Sequence, residues 1–399
     1  MARSRTRHPH SILRSTSSRE NDDAREMTPT GGAPLWAVGE GLGLPALDGD
    51  VEAEVCVIGL GGSGLACVRE FVRLGARVVG LDAGEVGGGA AGRNGGFLLA
   101  GLAPFHHDAV ARFGRERACA MYRLTLAEIE RIADETPGIV HRTGSLRIAE
   151  SAEEEVDCAR QLAAMRGDGL PAEAYEGAEG RGILVRGDGT FQPLARCRAL
   201  ATAAIAEGAR LLEQSRAVSI APGAVRTPGG TVRARHIVVA VDGALDLLLP
   251  ELAPDVRTAR LQMLATAPTS EVRIPRPVYA RWGYDYWQQR PDGAIALGGA
   301  RDVGGDAEWT HDTTPSSAVQ SSLEHRLRDL LGVQAPITHR WAASVSYTRD
   351  ELPIVRELRE RVWVIGGYSG TGNVIGSLLG RGMARMLLRS DDALVRPFM

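Results

Sequence analysis

The stretch AEVCVIGLGGSGLACVREFVRLGARVVGLD, residues 53–82, decides the fold of this chain. Residues 53–59 are rich in valine and isoleucine, which is typical of a strand buried on both faces in a parallel sheet. Residues 65–75 repeat apolar side chains at helical spacing and end on Gly75, a residue that favours helix ends. Residues 76–82 predict a second buried strand. The stretch therefore predicts one complete strand–helix–strand unit.

The turn between the first strand and the helix carries three glycines in the pattern GxGxxG. Gly59 allows the tight turn, Gly61 lets the backbone approach a pyrophosphate, and Gly64 lets helix and strand pack closely. The helix N-terminus offers free N–H groups and a positive dipole end to phosphates. Asp82 ends the second strand and can accept hydrogen bonds from a ribose diol. This order of features predicts a dinucleotide site; the alternative is a tight turn without a ligand.

The next segment distinguishes between two dinucleotides. GGGAAGRNGGF, residues 87–97, is mostly glycine and alanine and can bury almost no apolar side-chain area. An NAD domain usually continues directly into further strand–helix units, whereas the next nucleotide-type block here is VRARHIVVAVDG at residues 232–243. FAD is long enough to be held by separated chain segments, so this distribution favours FAD. The glycines of residues 87–97 would then let the backbone lie against the cofactor.

Composition bounds the class of protein. The chain has 399 residues, 44% of them hydrophobic, which is enough for a sizeable core. A net charge of -3 without a basic block argues against nucleic-acid binding, and no apolar run approaches the roughly 18 residues of a membrane span. The five cysteines form no CxxC pair and no histidine cluster suggests zinc, so we expect a cytoplasmic protein with inert thiols and no metal site.

Nucleotide-type α/β pieces occur at the start, middle and end of the chain, and the segments between them are helical or β-rich. We expect an α/β plus α+β protein, in which a discontinuous Rossmann-like FAD-binding domain carries an inserted β-rich substrate domain. The FAD-binding domain is assigned to residues 31–105, 186–250 and 335–399, and the substrate domain to residues 106–185 and 251–334. Residues 1–30 lack a secretory apolar region, and we expect a disordered tail or a start codon placed too early, with Met27 as the true start.

Both ends of the chain resemble a known family. LWAVGEGLGLPALDGDVEAEVCVIGLGGSGLA (35–66), LDAGEVGGGAAGRNGGF (81–97), HRWAASVSYTRDELPIV (339–355) and VWVIGGYSGTGN (362–373) carry the resemblance. They are similar to the D-amino-acid-oxidase superfamily of FAD enzymes, and within it to the γ-glutamylputrescine oxidase branch near glycine and sarcosine oxidases. The resemblance spans about residues 35–390, and its middle part is vague.

The resemblance assigns cofactor contacts to this chain. The pyrophosphate would meet Gly59, Gly61 and Gly64, and the adenosine ribose would meet Asp82, where the family more often has Glu. The path from phosphate to flavin would follow Arg93, Asn94, Gly95 and Gly96, and the adenine would meet the backbone of Val218. The flavin would contact Gly367, Tyr368, Ser369, Gly370, Thr371 and Gly372, although the family often has His where this chain has Thr371. Helix 373–388 would point its positive end at the flavin pyrimidine.

Three departures from the family narrow the function. Residues 341–350 contain no Cys, although monomeric sarcosine oxidases attach flavin there, so we expect non-covalent FAD. The chain contains no lysine, the residue with which those oxidases activate oxygen, so another group activates oxygen or another acceptor takes the electrons. Val345 replaces the Arg with which glycine and D-amino-acid oxidases bind a carboxylate. This replacement favours an amine whose carboxylate is remote or absent.

The aromatic stretch ARWGYDYWQQR, residues 280–290, is the candidate substrate wall. As a strand it would place Trp282, Tyr284 and Tyr286 on one face, as a box for an amine; the alternative is inner core or an interface. The candidate catalytic residues are Tyr286 and Trp287, which match the flavin-facing strand of the family, and His339. Other polar residues are expected to be structural: His106 and His107 as surface or hydrogen-bonded rather than catalytic residues, Arg301, for which contact with substrate is the alternative, and Asp350 within a turn rather than as a base.

These observations predict an FAD-dependent oxidoreductase that oxidises a primary or secondary amine by hydride transfer to flavin N5. The imine product then hydrolyses, and oxygen is the expected acceptor. Two alternatives stay open. One is an amine dehydrogenase that passes electrons to a quinone or a carrier partner, and the other is a non-catalytic FAD-binding subunit. The expected ligand besides FAD is a small-molecule amine.

Overall fold

The computed structural model describes residues 32–399, so the predictions for residues 1–30, including the start at Met27, lie outside the described residues. The strands are β1 (Val51–Ile58), β2 (Val78–Leu81), β3 (Phe97–Leu98), β4 (Val140–His141), β5 (Ser145–Ala149), β6 (Glu173–Gly177), β7 (Gly180–Val185), β8 (Gly189–Phe191), β9 (Arg210–Leu212), β10 (Ser219–Ala221), β11 (Ala224–Thr227), β12 (Gly230–Val239), β13 (Val256–Thr266), β14 (Val278–Ala280), β15 (Asp285–Gln289), β16 (Ile295–Gly299), β17 (Ile337–Thr348), β18 (Ile354–Arg359) and β19 (Val362–Gly366). The α-helices are α1 (Gly62–Arg73), α2 (Ala90–Arg93), α3 (His106–Phe113), α4 (Arg115–Glu135), α5 (Ala152–Gly167), α6 (Pro193–Ala206), α7 (Leu245–Leu248), α8 (Arg301–Gly304), α9 (Ser317–His325) and α10 (Gly372–Arg389).

The first sheet contains the strand–helix–strand unit that the sequence predicts. Its parallel strands run in the order β9-β2-β1-β12-β19, so that β1 lies between β2 and β12. The antiparallel strand β18 extends it beyond β19, and the hairpin β10-β11 pairs with the start of β12. Every strand predicted for this sheet from residues 53–59, 76–82, 232–243 and 361–367 is confirmed. The sheet has the strand order of a Rossmann-like domain, with β1 in its centre.

Two hydrophobic cores cover the two faces of this sheet. Val55 and Val57 of β1 pack with helices α1, α6 and α10, whereas Cys56 and Ile58 pack with the apolar side chains around α7 and the hairpin. Because successive residues of a strand point to opposite faces, burial of all four explains why β1 reads as a continuous apolar run. This burial fixes β1, and with it the position of the glycine turn that follows.

The second sheet runs in the order β17-β13-β16-β15-β14-β5-β7-β6 and is antiparallel except between β14 and β5. β17 pairs with β13 along nearly its whole length. Sheet pairing therefore places residues 337–348 in the second sheet, although the sequence prediction assigns residues 335–399 to the cofactor domain. Residues 110–165, predicted to be mostly helical, also contribute the short strands β4 and β5, of which β5 joins the second sheet. A small third sheet, β3-β8-β4, lies between these parts of the chain.

The second sheet has two faces with different partners. The inner face carries Tyr286 and Met263, packs against the glycine-rich segment 87–97 and meets the first sheet's helices. The outer face carries Trp287 and Leu264, which pack under helix α9. Both names, inner face and outer face, are used below in this sense. Within residues 32–399, no helix combines the length and the apolar character required to cross a bilayer.

Candidate functional site

The glycine turn after β1 is built as the GxGxxG pattern predicts. Gly59 has a φ of +100°, and its N–H donates to the Leu81 carbonyl at 2.8 Å. A Cβ atom at Gly64 would lie 1.8 Å from the Gly59 carbonyl oxygen, so only glycine allows the first turn of α1 to approach β1 this closely. A Cβ at Gly61 would lie 3.1 Å from Ala91 of α2. The turn therefore brings α1 directly against the segment that continues into residues 93–96.

Two long helices begin beside this turn without a side-chain cap. The residues that precede them, Gly61 before α1 and Thr371 before α10, make no capping hydrogen bond from their side chains. By contrast, Ser151 and Gln192 cap helices α5 and α6 from their side chains. The helices α1 and α10 cross near their N-terminal ends, where the Ser63 and Tyr368 hydroxyl groups hydrogen-bond at 2.6 Å. Free N–H groups at such ends favour an anionic ligand.

A buried arginine lies at the start of α1. Arg196 of α6 is 2% exposed, and its Nη1 atom lies 3.4 Å from the position of a Cβ on Gly62. Its Nη2 donates to Ser377 Oγ at 3.2 Å, while its Nε is buried without a hydrogen-bond partner. No carboxylate within residues 32–399 forms an ion pair with it, and burial lowers its pKa. A buried cation with a free donor is costly unless a ligand supplies the negative charge.

Asp82 is half-buried at the end of β2. Its carboxylate accepts the Leu60 N–H at 2.7 Å and the Gly84 N–H at 2.9 Å, which holds the glycine turn in place. Burial raises the pKa of this carboxyl group. Residues after β9 run beside it, because the Ser215 N–H donates to the Asp82 carbonyl. Val218 follows in this segment; its side chain is 51% exposed, and its N–H donates to the Arg226 carbonyl at 2.8 Å.

Arg93 and Asn94 bind protein groups rather than pointing free donors along the segment. Arg93 donates from Nε to the Ala342 carbonyl at 2.8 Å and from Nη2 to the Gly32 carbonyl at 2.7 Å. Asn94 Nδ2 donates to the Ala91 carbonyl at 2.8 Å and to Asn373 Oδ1 of α10 at 3.0 Å. The resemblance places both residues along the path of the cofactor, and the donors named here are engaged by protein groups. These side chains fix the backbone of residues 93–96.

The backbone of Gly95 and Gly96 lies directly against β15. A Cβ at Gly95 would lie 3.2 Å from the Tyr286 ring, and one at Gly96, whose φ is +71°, would lie 2.4 Å from the Phe191 carbonyl oxygen. Gln288, which shares the inner face with Tyr286, donates from Nε2 to the Gly95 carbonyl. Sequence reasoning missed Gln288, although its spacing of two from Tyr286 in a strand places both on one face.

Two tryptophan side chains hydrogen-bond to the backbone of the same segment. Trp36, 1% exposed, donates from Nε1 to the Asn94 carbonyl at 2.7 Å, and Trp341, fully buried, donates to the Arg93 carbonyl at 2.7 Å. The segment GGGAAGRNGGF is therefore anchored by two indole donors and also meets Tyr286, which lies on the same face of the second sheet as Trp341. A rigid glycine backbone of this kind is suited to close contact with a planar ligand.

The loop GYSGTG before α10 is fixed by a buried carboxylate. Asp242, after β12, accepts the N–H groups of Gly367 at 2.9 Å, Tyr368 at 3.2 Å and Ser346 at 3.2 Å. Burial raises the pKa of Asp242 to about 6. The loop is thereby tied to both sheets at once, because Ser346 belongs to β17. Sequence reasoning missed Asp242, which the VDG turn after a buried strand could have indicated.

Aromatic rings cover the inner face beside the glycine segment. Tyr279 stacks on Tyr286 with ring centroids 5.7 Å apart, and Phe97 lies 5.2 Å from the first ring and 5.9 Å from the second. Burial raises the pKa of Tyr279 to about 12 and that of Tyr286 further, so both phenols stay protonated near neutral pH. Tyr347 of β17 extends the cluster toward Gly370, where its hydroxyl lies 3.7 Å from the position of a Cβ.

Comparison with known proteins agrees with this arrangement. A model of the family described as FAD dependent oxidoreductase, DAO, matches residues 54–386. The chain belongs to this family. It is 28% identical over 383 residues to the probable oxidoreductase OrdL of Rhizobium meliloti, covering 88% of this chain and 86% of the relative. It is also 28% identical over 371 residues to the γ-glutamylputrescine oxidoreductase of Escherichia coli, covering 86% and 85%.

Solved structures agree on the fold. The glycine oxidase of Geobacillus kaustophilus matches with a TM-score of 0.70 at 20% identity, over 86% of this chain and 95% of the other. The L-proline dehydrogenase of P. horikoshii matches with a TM-score of 0.71 at 19% identity, over 88% and 96%. The expected family and the α/β plus α+β fold class are confirmed, and the chain is an FAD-dependent oxidoreductase.

The structure of this FAD-dependent oxidoreductase fits its cofactor at three points. The uncapped N-termini of α1 and α10 leave backbone donors free for anionic groups. Arg196 supplies a buried cation and an unused Nε donor at the glycine turn, which suits a pyrophosphate. The third point is the rigid backbone of this segment, because Gly95 and Gly96 pack without side chains against Tyr286, the Phe191 carbonyl and Gln288.

The expected substrate wall is partly wrong. Residues 281–283 form a turn in which Arg281 and Trp282 have positive φ, and the strand begins only at Asp285. Trp282 and Tyr284 are 46% and 38% exposed, so they do not share a buried face with Tyr286. A Gly residue within the predicted strand, at position 283, was the signal for this break.

Two of the three catalytic candidates lie away from the glycine segment. Trp287 points to the outer face, 5% exposed, where it packs under α9. His339 lies two residues before Trp341 on β17, and its Nδ1 shares a hydrogen bond of 2.8 Å with the Thr338 hydroxyl. Burial, and then Arg290, lower the pKa of His339, which favours its neutral form. Tyr286 alone contacts the glycine segment, so only Tyr286 is carried into the proposal below.

The remaining histidines near the site have structural partners. His106 is 3% exposed, and its Nε2 lies 2.7 Å from Asp168 Oδ2, as expected for a hydrogen-bonded histidine. Cys119 lies near the same nitrogen, so three groups that could ligate a metal stand together. Arg115 Nε, 2.8 Å from Asp168 Oδ1, already neutralises this carboxylate. All five cysteines are buried and free, as the inert thiols of the sequence prediction require.

Proposed function

We propose that this FAD-dependent oxidoreductase oxidises a primary or secondary amine at the carbon next to nitrogen. The observation that carries the proposal is the aromatic cluster of Phe97, Tyr279 and Tyr286 lying directly on the glycine backbone beside the free helix ends. Bound FAD supplies a flavin that accepts the hydride at N5. The protein side chains at this site would orient the substrate, because the reaction depends on orientation more than on acid–base catalysis.

We propose that the FAD is bound without a covalent link. We assign the pyrophosphate to the α1 end and Arg196, the ribose to Asp82, and the ring system to Gly95, Gly96 and the loop 367–372. No cysteine lies in residues 341–350, and burial raises the pKa of Cys197, beside Gly87, to about 11, so its thiol is a poor nucleophile. Denaturation should release all of the flavin, and yellow colour that stays with precipitated protein would contradict this assignment.

The aromatic side chains prepare the amine for oxidation. Phenol groups that stay protonated can donate hydrogen bonds but cannot remove a proton, so Tyr279 and Tyr286 orient a substrate rather than act as bases. Their buried rings exclude water, and desolvation favours the uncharged form of an amine. An uncharged amine has the lone pair that forms the second carbon–nitrogen bond when hydride leaves, and the resulting iminium ion loses its N–H proton to water to give the imine. The imine then hydrolyses in water.

The acceptor is a separate part of the proposal. We propose oxygen, with hydrogen peroxide as product. A dehydrogenase with a quinone or carrier acceptor is favoured by one observation, the complete absence of lysine. The fold does not choose between them, because a glycine oxidase and an L-proline dehydrogenase match it equally well, with TM-scores of 0.70 and 0.71.

The test is anaerobic mixing of the purified holoprotein with a panel of amines and amino acids while the flavin absorbance is followed. We expect at least one amine to bleach the flavin, and air to restore the colour with release of peroxide. Restoration only by an artificial acceptor would favour the dehydrogenase. If dithionite bleaches the flavin and no amine does, the amine oxidation proposal is wrong and a non-catalytic subunit is favoured.

A further inference from the structure

An arginine guanidinium stands among three aromatic rings at the open end of the inner face. The Arg301 Cζ atom lies 4.7 Å from the ring centre of Trp309, 5.2 Å from that of Tyr347 and 5.5 Å from that of Tyr284. The side chain is half-buried, and Tyr347 also lies within hydrogen-bonding reach of it. Three rings around one cation hold the guanidinium plane in a defined place without neutralising its charge.

Arg301 lacks the carboxylate partner that comparable arginines have. Across the part of the chain that the structure describes, no carboxylate oxygen lies within 4.0 Å of it. Arg257 stacks on the same Trp309 at 4.1 Å, but it pairs with Asp306. Arg326 stacks on Trp287 at 5.5 Å, but it pairs with Asp285 at 2.7 Å. The sequence prediction that Arg301 is structural therefore lacks the ion pair that such a role would show.

Hydrogen bonds fix the backbone of Ala300, the residue before Arg301, and so set the direction in which the Arg301 side chain leaves the backbone. Ala300, which follows β16, is 1% exposed and has a φ of +53°, a conformation that non-glycine residues rarely adopt. Its N–H donates to the Tyr284 carbonyl at 2.8 Å and to Asp285 Oδ1 at 3.0 Å. A strained backbone that is held by two hydrogen bonds is common beside ligand sites.

Arg301 is connected through Tyr347 to the loop before α10. Tyr347, one of its three rings, has its hydroxyl 3.7 Å from the Cβ position of Gly370, in the loop before α10. Tyr347 shares the inner face with Tyr286, whose pKa is raised by burial, then by Tyr279 and then by Tyr347. The guanidinium is therefore continuous with the aromatic cluster to which the proposed function assigns the amine.

From these observations we infer that Arg301 binds a carboxylate of the substrate, so that the substrate class is an amine that also carries a carboxylate. The inference rests on the proposed function, whose site it extends. The planar guanidinium offers paired N–H donors that match the two oxygens of a carboxylate. A half-buried cation without a counter-ion gains more from such a partner than an exposed one, because water screens it less.

Arg147 is the other half-buried arginine on the inner face without an ion pair within residues 32–399. Its guanidinium lies 5.1 Å from the Phe105 ring and 5.9 Å from the Tyr279 ring. Arg147 differs from Arg301 because buried Asp188 lies close enough for the two charges to act on each other. The charge of Arg147 therefore has a partner in the fold, and that of Arg301 has none.

The test uses the holoprotein and butanoate, a carboxylate that flavin cannot oxidise, with butanamide as its neutral counterpart. Butanoate binding is measured by the change in flavin absorbance for the native protein and for Arg301→Met, Arg301→Lys and Arg257→Met. We expect Arg301→Met to weaken butanoate binding between about 10-fold and 100-fold, the usual range for losing a hydrogen-bonded charge partner. Arg301→Lys should lose less, because it keeps the charge without the paired donors. Arg257→Met, which touches the same Trp309, should bind as the native protein does.

Several outcomes would overturn the inference. They are the absence of butanoate binding by the native protein, equal loss of butanoate and butanamide binding in Arg301→Met, and equal weakening in Arg257→Met. Flavin content and melting temperature of each variant show whether it is folded, and Arg301→Lys serves as the second variant if Arg301→Met is not. A failure of the proposed function looks different: no amine bleaches the flavin, while butanoate binding still depends on Arg301.

Discussion

The inner and outer faces of the second sheet treat buried charge in opposite ways. On the outer face, Arg326 lies over Trp287 and is neutralised by Asp285, and Arg260 is neutralised by Glu308, whose carboxylate is fully buried. On the inner face, Arg301 lies among three rings without a carboxylate. The two buried arginines of the outer face thus each have a carboxylate partner within the fold. A charge kept without a partner beside a cofactor site is available to a ligand.

The largest expected effect comes from breaking an outer-face pair. Replacing Asp285 with Ala leaves Arg326 buried without one of its carboxylates and removes one of the two acceptors of the Ala300 N–H. Removing one partner of a buried pair costs about 3–5 kcal/mol, so urea denaturation should show a loss of that size in the free energy of unfolding. The matched inner-face variant, Arg301→Met, should change it by less than about 1 kcal/mol. Equal losses in the two variants would erase the contrast between the faces.

A second prediction concerns the close packing of the glycine segment against the inner face. In Gly96→Ala the new Cβ meets the Phe191 carbonyl oxygen at 2.4 Å and Gln288 Nε2 at 2.7 Å, at a φ of +71°. Backbone strain and overpacking together should cost about 2–4 kcal/mol and prevent flavin retention. Gly114→Ala is the control, because its φ of +84° imposes the strain with nothing within 4 Å. Gel filtration of both variants, with flavin absorbance, separates the clash from the strain.

Gly95→Val tests the same segment from the other side. Its side chain would push against the Tyr286 ring, which lies 3.2 Å from the Cβ position, and the flavin should be lost. The contacts of the neighbouring residues explain why the segment cannot move aside. Arg93 and Asn94 hold the segment to Ala342, Gly32 and Asn373, so the backbone is rigid rather than a source of free donors. A fully yellow Gly95→Val protein would remove the segment from the site.

The sequence predicted what depends on local pattern. The strand of residues 53–59, the GxGxxG turn and the helix after it follow from burial period and glycine spacing over about thirty residues. Tyr286 could be placed on a strand from alternation alone. The strand prediction failed at Trp282, because the turn of residues 281–283 is set by tertiary packing, including a bond from the Trp282 N–H to Glu154 of α5. Period-2 alternation carries no information about such long-range contacts.

Long-range partners explain the other misses. No sequence pattern marks Arg196, and only the contact of α6 with α1 shows that its guanidinium lies at Gly62. Arg301 was expected to be structural, and its lack of an ion pair within residues 32–399 is visible only in three dimensions. Val345 suggested a remote or absent carboxylate. The structure instead provides a cation, Arg301, after the end of β16. Its guanidinium contacts Tyr347, which lies two residues after Val345 on β17.

A fourth prediction uses pH to examine Asp188, the buried carboxylate near Arg147. Asp188, 3% exposed, accepts the Ala100 N–H at 2.9 Å and the Ser145 hydroxyl at 2.6 Å, and burial raises its pKa to about 6. An unfolded Asp ionises near about 3.9, so between pH 4 and pH 6 the folded protein keeps a proton that the unfolded chain has lost. This group's contribution to stability is therefore present below that window and is lost as the pH rises through it, by about 1–3 kcal/mol.

Asp188→Asn isolates this contribution. The amide oxygen can accept the Ala100 N–H and the amide nitrogen can donate to Ser145, so the variant should fold and should lack the pH-dependent term. The difference in unfolding free energy between the variant and the native protein should shift in favour of the variant from pH 4 to pH 7.5. A difference that is the same at both pH values would mean that Asp188 ionises normally in the fold.

The smallest expected effect has opposite signs with and without cofactor. Arg196 is buried with an unused Nε, so Arg196→Met, a change to an apolar side chain of similar length, should stabilise the apoprotein by about 1 kcal/mol. The same change removes the cation from the glycine turn and should weaken FAD binding about tenfold, because a hydrogen-bonded charge contact is lost. Thermal unfolding of the flavin-free protein and fluorescence titration with FAD measure the two effects separately. If both effects are losses, Arg196 is a structural residue of the fold, and the contrast between charges with and without partners would not extend to the cofactor end of the molecule.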